Sequence, residues 1–294
     1  MGYLYSRDYL LQIQSSLLTQ IQTGDNSVLL RSEIAAENEV KSYLQQKYIT
    51  DDEFTDTTVW SNTVAYSAAD RVYLDATAYS ASSTYAIGAL ALQGGNVYRC
   101  STAIVTPEAF NAAKWTLINA QYTLYYVSYP ADVFDLYATY AKDDIVFYQD
   151  KRYQCLIPSS SLTHSSALQY NSISSLPYQN VFPDDATNGA KYWEDLGAYT
   201  VAAGTLPTDD TKWTLGDNRD QNILIKVVDI ALYHLHSRIA PQNIPALRQN
   251  RYDDALTYLK AAAKGNVTID MPVIQPKQGQ RISYGGQVKR VNSY

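Results

Sequence analysis

The sequence has little cysteine and no long hydrophobic segment. It contains 2 cysteines, Cys100 and Cys155, too few for a disulfide framework and spaced like no zinc or redox motif. No apolar run reaches the ~18 residues of a membrane-spanning helix. The first residues also lack the basic segment, apolar stretch and small-residue cleavage site of a secretory signal. We therefore expect neither membrane insertion nor secretion, and we expect assembly in a reducing compartment.

Phenylalanine is scarce, whereas tyrosine is abundant. The 294 residues include 5 Phe and 27 Tyr, with 46% hydrophobic residues, which suffices for one large domain or two ordinary ones. Mean hydropathy is slightly negative, at −0.28. Because tyrosine combines an apolar ring with a polar hydroxyl, this composition favours half-exposed β-surface or subunit contacts.

Charge is unevenly distributed along the chain, whose formal net charge is −6. Residues 1–58 hold 4 basic and 9 acidic side chains, residues 59–217 hold 8 and 15, and residues 218–294 hold 11 and 5. The segment after Gly265 is basic and interleaved with proline and glycine. This pattern predicts an extended arm that becomes ordered on a partner.

Helical periodicity occurs at both ends of the chain. Apolar spacing predicts one helix from about Tyr9 to residue 21, broken by turn residues at 23–26, and a second from Ser27 to about Tyr48. A third helix, widely apolar and therefore central or shared between subunits, is expected after Asn218 as N-cap. A fourth starts near Pro245 and ends at Gly265, a natural left-handed C′ residue.

The middle of the chain, residues 59–217, shows short alternating runs typical of β-strands and contains a repeat. YAIGALALQGGNVYRC at 85–100 aligns without gaps to YAKDDIVFYQDKRYQC at 140–155. Each copy predicts strand, tight turn and strand, followed downstream by Trp-x-Leu. Trp115 ends the first copy, while Trp193 and Trp213 compete as the end of the second. YSAADRVYLD at 66–75 is a fainter relative, interpreted as an incomplete earlier copy.

The helical ends resemble the head-to-tail connector (adaptor) proteins of tailed bacteriophages. The resemblance rests on residues 28–48, on VVDIALYHLHSR and on RYDDALTYLKAAAKGNVTIDMP, in particular Arg251–Leu256, Leu259-Lys260 and Gly265. In that family a short link joins the second and third helices, whereas about 160 residues intervene here. The resemblance therefore implies an α+β fold: a helical adaptor bundle of four main helices, interrupted by a β-rich inserted domain of hairpin repeats and followed by an extended C-terminal arm.

The implied domain boundaries are residues 1–58 and 218–265 for the two halves of the bundle, 59–217 for the insert, with repeats at about 78–117 and 132–215, and 266–294 for the arm. The resemblance implies a structural virion protein without enzymatic activity or cofactors, forming a ring, commonly of twelve copies, under the portal vertex. The implied partners are the portal, the next tail or connector ring protein and, through the insert, outer components such as fibres. DNA passes through without specific binding, and assembly takes place in the host cytoplasm. The residues expected to contact the portal are Lys277, Arg281, Tyr284, Lys289, Arg290 and Tyr294.

The inserted repeats resemble the small β-repeats of chitin- and cellulose-type carbohydrate-binding modules, in which exposed aromatic rings stack on sugars. The alternative function is therefore a carbohydrate-binding virion protein that contacts host surface glycans. For the tryptophans, the favoured interpretation is that each closes a small sheet from inside, because so small a fold needs its largest side chains in the core. The residues that could contact glycan or a partner are Tyr85, Tyr98, Trp115, Tyr140, Tyr153, Trp193 and Trp213.

Catalysis and metal binding are not expected. His234 and His236 lie two positions apart on one helix, where they face different directions. The serines beside His164 lack a nucleophile elbow, and paired acids at 143–144, 184–185 and 209–210 match no calcium motif. Cys100 and Cys155 occupy equivalent repeat positions, so each is predicted to be a small buried side chain of its own hairpin.

Overall fold

The computed structural model describes residues 2–22, 26–159, 180–239, 242–271 and 273–274. Within them, no helix is both long and apolar enough to cross a membrane. Short 3-10 turns occur at Asp8–Leu11 and Ala112–Lys114. The α-helices are α1 (Ser15–Gln22), α2 (Asn26–Leu44), α3 (Gly189–Tyr192), α4 (Gln221–Ile239) and α5 (Ala246–Lys264).

Thirteen strands form four sheets in the described residues, with strand orders β1-β3-β7-β13, β11-β10-β9-β8, β4-β5-β6 and β12-β2. The strands are β1 (Thr57–Val59), β2 (Tyr66–Ser67), β3 (Arg71–Tyr73), β4 (Leu90–Gln93), β5 (Asn96–Cys100), β6 (Trp115–Ala120), β7 (Leu124–Val127), β8 (Asp132–Val133), β9 (Ile145–Tyr148), β10 (Lys151–Cys155), β11 (Trp193–Ala198), β12 (Thr200–Val201) and β13 (Trp213–Leu215).

The prediction of a four-helix bundle interrupted by an inserted domain is wrong. The described part of the chain is mostly β, with five helices beside 13 strands in four sheets. The first predicted helix does not run from Tyr9 to residue 21, because the chain makes a 3-10 turn at Asp8–Leu11 and α1 starts only at Ser15. Tertiary contacts of Asp8 fix that turn and override the apolar spacing.

Helix α4 lies at the centre of the largest apolar cluster, which it shares with α2, α5 and the first residues of the chain. Its main apolar stripe is buried, and so are three residues on its other sides, Ile223, Ile230 and Leu232; the stripe consists of Leu224, Val227, Val228, Ala231 and Leu235. The prediction of a central helix is confirmed. Gly265 also adopts the expected left-handed conformation after α5, with φ +81°.

The start of α4 differs from the prediction. Asp220, not Asn218, caps the helix, since its Oδ1 accepts hydrogen bonds from the backbone N–H groups of Asn222 and Ile223 at 2.8 and 3.1 Å. The Asn218 side chain instead accepts a hydrogen bond from Arg71 Nε at 2.6 Å. Asn218, which the sequence predicts to cap the helix, therefore binds a buried guanidinium instead.

Three copies of one small β-module make up the rest of the structure, and a tyrosine marks the same point in each. The hydroxyls of Tyr66, Tyr85 and Tyr140 accept a hydrogen bond from the backbone N–H five residues earlier, at 2.7, 2.8 and 2.7 Å. Each ring packs edge-on against a tryptophan with centroids 5.2 Å apart. The residue three positions after each tyrosine has positive φ: Ala69, Gly88 and Asp143.

Strand register assigns the tryptophans. Cys100 pairs with Trp115 and Cys155 with Trp193, so Trp193 ends the copy that begins at Tyr140. Trp213 pairs with Val127 of β7 and closes the copy that begins near Tyr66. The tight turn predicted in each repeat copy is confirmed: the turns lie at Gly94-Gly95 and at Gln149-Asp150, with positive φ at all four residues.

The modules are nested rather than consecutive. We name module 1 as residues 57–75, 122–128 and 200–215, module 2 as residues 76–121, and module 3 as residues 129–199. Module 2 interrupts the β3–β7 hairpin of module 1, and module 3 lies between β7 and β12. The copy predicted to be incomplete from residues 66–75 is thus continued by distant parts of the chain.

Candidate functional site

The expected portal-contact residues, Lys277, Arg281, Tyr284, Lys289, Arg290 and Tyr294, lie outside the described residues. The segment that leads to them is anchored on the helices. Ile269 and Met271 are buried in the helical cluster, Val273 forms an antiparallel bridge with Tyr48, and the Ile274 N–H donates to the Lys47 carbonyl at 2.8 Å. The chain after α5 therefore runs back along the end of α2.

The residues expected to contact glycan or a partner lie mostly inside the modules. Trp115, Tyr140, Tyr153, Trp193 and Trp213 are each at most 8% exposed and belong to the apolar clusters. A sugar cannot stack on a ring that is covered on both faces, so the structure excludes stacking on the three tryptophans, and they close their sheets from inside. Contact through the half-buried Tyr85 and Tyr98 stays a prediction.

A buried charged cluster that sequence reasoning missed joins the helices to module 1. Arg219 binds Asp8 through both terminal nitrogens, at 2.6 and 2.9 Å, and Asp217 through Nε and Nη2. Burial raises the pKa of Asp8 although Arg219 opposes this shift. Burial lowers the pKa of Arg219, but hydrogen bonds to Asp217 and Asp8 outweigh that effect, so this pKa is raised. The guanidinium therefore stays charged.

Arg71 of β3 forms the second half of this cluster. Its guanidinium donates to the backbone carbonyls of Thr55 and Glu53 at 2.9 and 3.2 Å. The Glu53 carboxylate accepts hydrogen bonds from the Tyr3 hydroxyl at 2.6 Å and from the Asp220 N–H at 3.1 Å. Burial raises the pKa of Glu53. We call Asp8, Glu53, Arg71, Asp217 and Arg219 the charged junction.

A second polar group holds the three long helices together. Glu39 of α2 accepts a hydrogen bond from the Tyr252 hydroxyl at 2.9 Å and lies 2.8 Å from His234 Nε2. His236 points elsewhere and contacts the Leu232 carbonyl. Among the described residues, no group of three His, Cys, Asp or Glu side chains could hold a metal ion. The interpretation of these histidines as structural therefore agrees with their contacts.

Both cysteines are free and buried, which confirms the prediction that each is a small buried side chain. Cys100 lies in β5 and Cys155 in β10, at equivalent places in modules 2 and 3. Burial raises the pKa of the Cys155 thiol. Since the thiolate is the reactive form, this environment disfavours a role as nucleophile.

An open apolar groove lies where the first residues of the chain meet the start of α5. It encloses about 470 Å³ and is lined by Gln12, Ile13, Gln14, Leu17, His236, Pro245, Leu247 and Arg248. Leu10 and Leu11 of the adjoining 3-10 turn are exposed, as are Leu17 and Leu247. We call this surface the leucine groove. Exposed leucines gathered around one groove are typical of a protein-contact surface.

Arg248 is among the residues that line the leucine groove, and the carboxylate of Asp229 lies close enough to oppose its charge. Arg248 is only 8% exposed; its Nη2 donates to the Gln12 carbonyl at 3.1 Å, while Nη1 has no hydrogen-bond partner among the described residues. Helix α5 has Pro245 as N-cap, no side-chain cap and no acidic residue in its first turn. The positive end of the helix is thus uncompensated on this side.

Comparison with known proteins links the helical end of the chain to bacteriophages. Residues 221–283 match the family described as Bacteriophage Mu, Gp36. The match covers about a fifth of the chain and includes α4, α5 and the start of the segment beyond them. It indicates a phage protein associated with the virion. No curated protein matches the chain.

Proposed function

We propose that this chain is a head-to-tail connector (adaptor) protein whose copies form a ring under the portal vertex and join the portal to the tail. The observation that carries the proposal is the match to the Mu Gp36 family over α4 and α5. Those helices contain Arg251–Leu256, Leu259 and Lys260, the residues that resemble the adaptor family. The role is structural, without catalysis or a cofactor.

Charge supports the assignment of surfaces. The net charge of −6 suits a channel through which DNA moves without being held, because few unpaired basic groups are available for phosphate. The basic residues of 266–294 suit attachment to the portal, and their segment leaves the helices beside α2. The β-modules are the docking surface for the next ring protein or for fibres.

The proposal is tested by mass photometry of the chain alone and mixed with portal complexes from the same particle. We expect a large discrete assembly, near twelve copies, or stoichiometric binding to the portal. Truncation after Ile274 should abolish portal attachment while retaining Ile269 and Met271, which are part of the helical core. A chain that stays monomeric both alone and with portal complexes contradicts the connector function. A truncated chain that still binds the portal contradicts the assignment of the C-terminal segment to portal attachment.

A further inference from the structure

Modules 2 and 3 differ in how they contact the rest of the chain. The outer face of the module 2 sheet packs on module 1, because Val97 and Ile118 are buried in the apolar cluster of module 1. Among the described residues of module 3, only Tyr199 packs against that cluster, and none belongs to the apolar cluster of the helices. The cluster of module 3 itself is separate from both.

The residues of the repeat explain this difference. The offset of 55 residues between the two copies puts Arg152 where module 2 has Val97. Phe147 pairs in register with Arg152 and so projects from the same face of the sheet. Ile145 also lies on this face, since side chains alternate along a strand, and it is 45% exposed. The outer face of module 3 therefore does not pack on module 1 as the outer face of module 2 does.

Two tyrosines at the ends of module 3 cover part of this face instead. The ring of Tyr129 lies 5.3 Å from the ring of Phe147, which is 5% exposed. The Arg152 guanidinium carbon lies 5.8 Å from the ring centre of Tyr199, whose N–H donates to the Asp150 carbonyl at 3.3 Å. The contact is incomplete, because Arg152 Nε is buried without a hydrogen-bond partner among the described residues.

A hydrogen bond ties the start of module 3 to the helical part of the chain. The Tyr129 hydroxyl donates to Asp52 Oδ2, in the segment between α2 and β1, at 2.7 Å. Module 1 holds the chain just outside module 3: the Ser128 N–H donates to the Lys212 carbonyl at 3.0 Å, and β12 begins at Thr200. The short linkers at the two ends of module 3 are therefore the points about which it can turn.

We propose that module 3 is a hinged arm, which pivots about these two linkers and is held in the observed arrangement by the hydrogen bond from Tyr129 to Asp52. When this bond opens, the arm turns away and Phe147 comes to the surface beside Ile145. Hinges of this kind need only a few loop residues whose backbone angles change. The inference goes beyond the proposed connector function and does not depend on it.

The test is hydroxyl-radical footprinting of the full-length chain, in which mass spectrometry measures how fast each side chain is oxidised. Tyr129→Phe removes the hydrogen bond and keeps the ring that covers Phe147. We expect the oxidation rate of Phe147 to rise about threefold or more, as the loss of one hydrogen bond implies. Phe134, which is 5% exposed in the separate cluster of module 3, should keep its rate because the arm stays folded.

Two further variants show whether the Tyr129–Asp52 pair is responsible. Asp52→Ala should raise the oxidation of Phe147 as Tyr129→Phe does, and the double variant should raise it no further, because both changes remove the same interaction. Tyr126→Phe is the matched control, since this residue lies in β7 of module 1 and its hydroxyl makes no hydrogen bond within the described residues. We expect this control to leave the rate unchanged.

Three outcomes overturn the inference. If Phe147 is oxidised at the same rate with and without the Tyr129 hydroxyl, module 3 is fixed in place. If the rates of Phe147 and Phe134 rise together, module 3 unfolds rather than pivots. If Tyr126→Phe has the same effect as Tyr129→Phe, or if the effects of the two latch substitutions add, the hydrogen bond to Asp52 does not hold the arm.

Discussion

Tyrosine hydroxyls bonded to buried or half-buried carboxylates account for part of the tyrosine excess. Tyr3 donates to Glu53, Tyr9 to Glu33 and Tyr252 to Glu39, at 2.6 to 2.9 Å. In each pair a carboxylate that lost water on folding gains a donor without a second charge. Phenylalanine at these positions would fill the same space and leave the acid without that hydrogen bond.

Removing the central guanidinium of the charged junction should be strongly destabilising. Arg219→Met leaves Asp8 and Asp217 without their buried counter-charge, and we expect a loss of roughly 3–5 kcal/mol in the free energy of unfolding, measured by urea denaturation. Lys151→Met is the matched control, because the Lys151–Asp195 ion pair is 45% exposed on both sides and solvent screens it, so its loss should change the free energy of unfolding far less. If Arg219→Met and Lys151→Met lose equal stability, the charged junction does not couple the helices to module 1.

The Glu33 carboxyl predicts a pH dependence of stability. Burial raises its pKa above the ordinary 4.5, although the hydrogen bond from Tyr9 opposes this shift. The folded chain therefore holds this proton more tightly than the unfolded chain, and the resulting stabilisation, complete below pH 4.5, is lost as the pH rises through the folded-state value. In Glu33→Gln that loss should be absent, so its stability should improve relative to the unmodified chain between pH 4 and pH 7. Parallel unfolding curves across that range would refute the prediction.

At the scale of elements, the tyrosine that starts each module fixes its entry turn. Its hydroxyl accepts from the N–H five residues earlier and lies near the carbonyl of the same residue. Its backbone pairs with a later segment, with Val201 in module 1 and Ile104 in module 2. One residue, through its hydroxyl and its backbone, thus ties together three stretches of the chain.

Loss of one hydroxyl should therefore weaken one module. Tyr140→Phe is expected to destabilise module 3 by about 1 kcal/mol, since the Asp135 N–H loses its acceptor. Hydrogen exchange should show faster opening of β9 and β10 and unchanged protection of α4. Tyr98→Phe is the control, because the Tyr98 hydroxyl has no hydrogen bond within the described residues; a similar effect there would assign the loss to packing instead.

The end of α5 depends on a glycine. Gly265 has φ +81°, and a Cβ at this position would come within 2.8 Å of Lys47 Nζ. Gly265→Ala should cost about 1 kcal/mol or more in thermal or urea unfolding, because an L side chain disfavours this conformation. Gly2→Ala, where a Cβ meets nothing within 4 Å, should be near neutral. If both variants unfold alike, the cap has no special role.

Contacts between residues close in the sequence can be predicted from it, whereas contacts between distant residues cannot. The hairpins of modules 2 and 3 lie within 16 residues each, so strand alternation and turn residues such as Gly94-Gly95 identify them. Module 1 is divided by two insertions, which place Trp213 far from Tyr66 in sequence. The Arg219–Asp8 pair joins residues 211 positions apart, and no spacing rule relates them. The same limit explains why Asn218 was assigned as a cap rather than as a partner of Arg71.

The nesting of the modules predicts which parts of the molecule need one another in order to stay folded, and this can be tested. Module 2 leaves and re-enters module 1 at adjacent points, where Leu74 and Tyr122 or Thr123 exchange backbone hydrogen bonds of 2.7 and 3.0 Å. A two-residue turn can bridge such a gap. Module 1, by contrast, contains the strand that carries Arg71 and is therefore joined to the helices through the charged junction.

Replacing residues 75–122 by Asn-Gly should leave the helices folded but weaken module 1, because Val97 and Ile118 of module 2 are buried in the apolar cluster of module 1. We expect α2, α4 and α5 to keep their hydrogen-exchange protection, because the apolar cluster of the helices contains no residue of module 2. Trp213→Ala in module 1 should instead cost roughly 3–5 kcal/mol and lower protection in β3, β7 and β13 together, since Trp213 is 2% exposed and pairs with Val127. If the deletion unfolds the helices while Trp213→Ala does not, the helices depend on module 2 rather than on module 1. The expected result would show that the helices depend on module 1 and not on module 2.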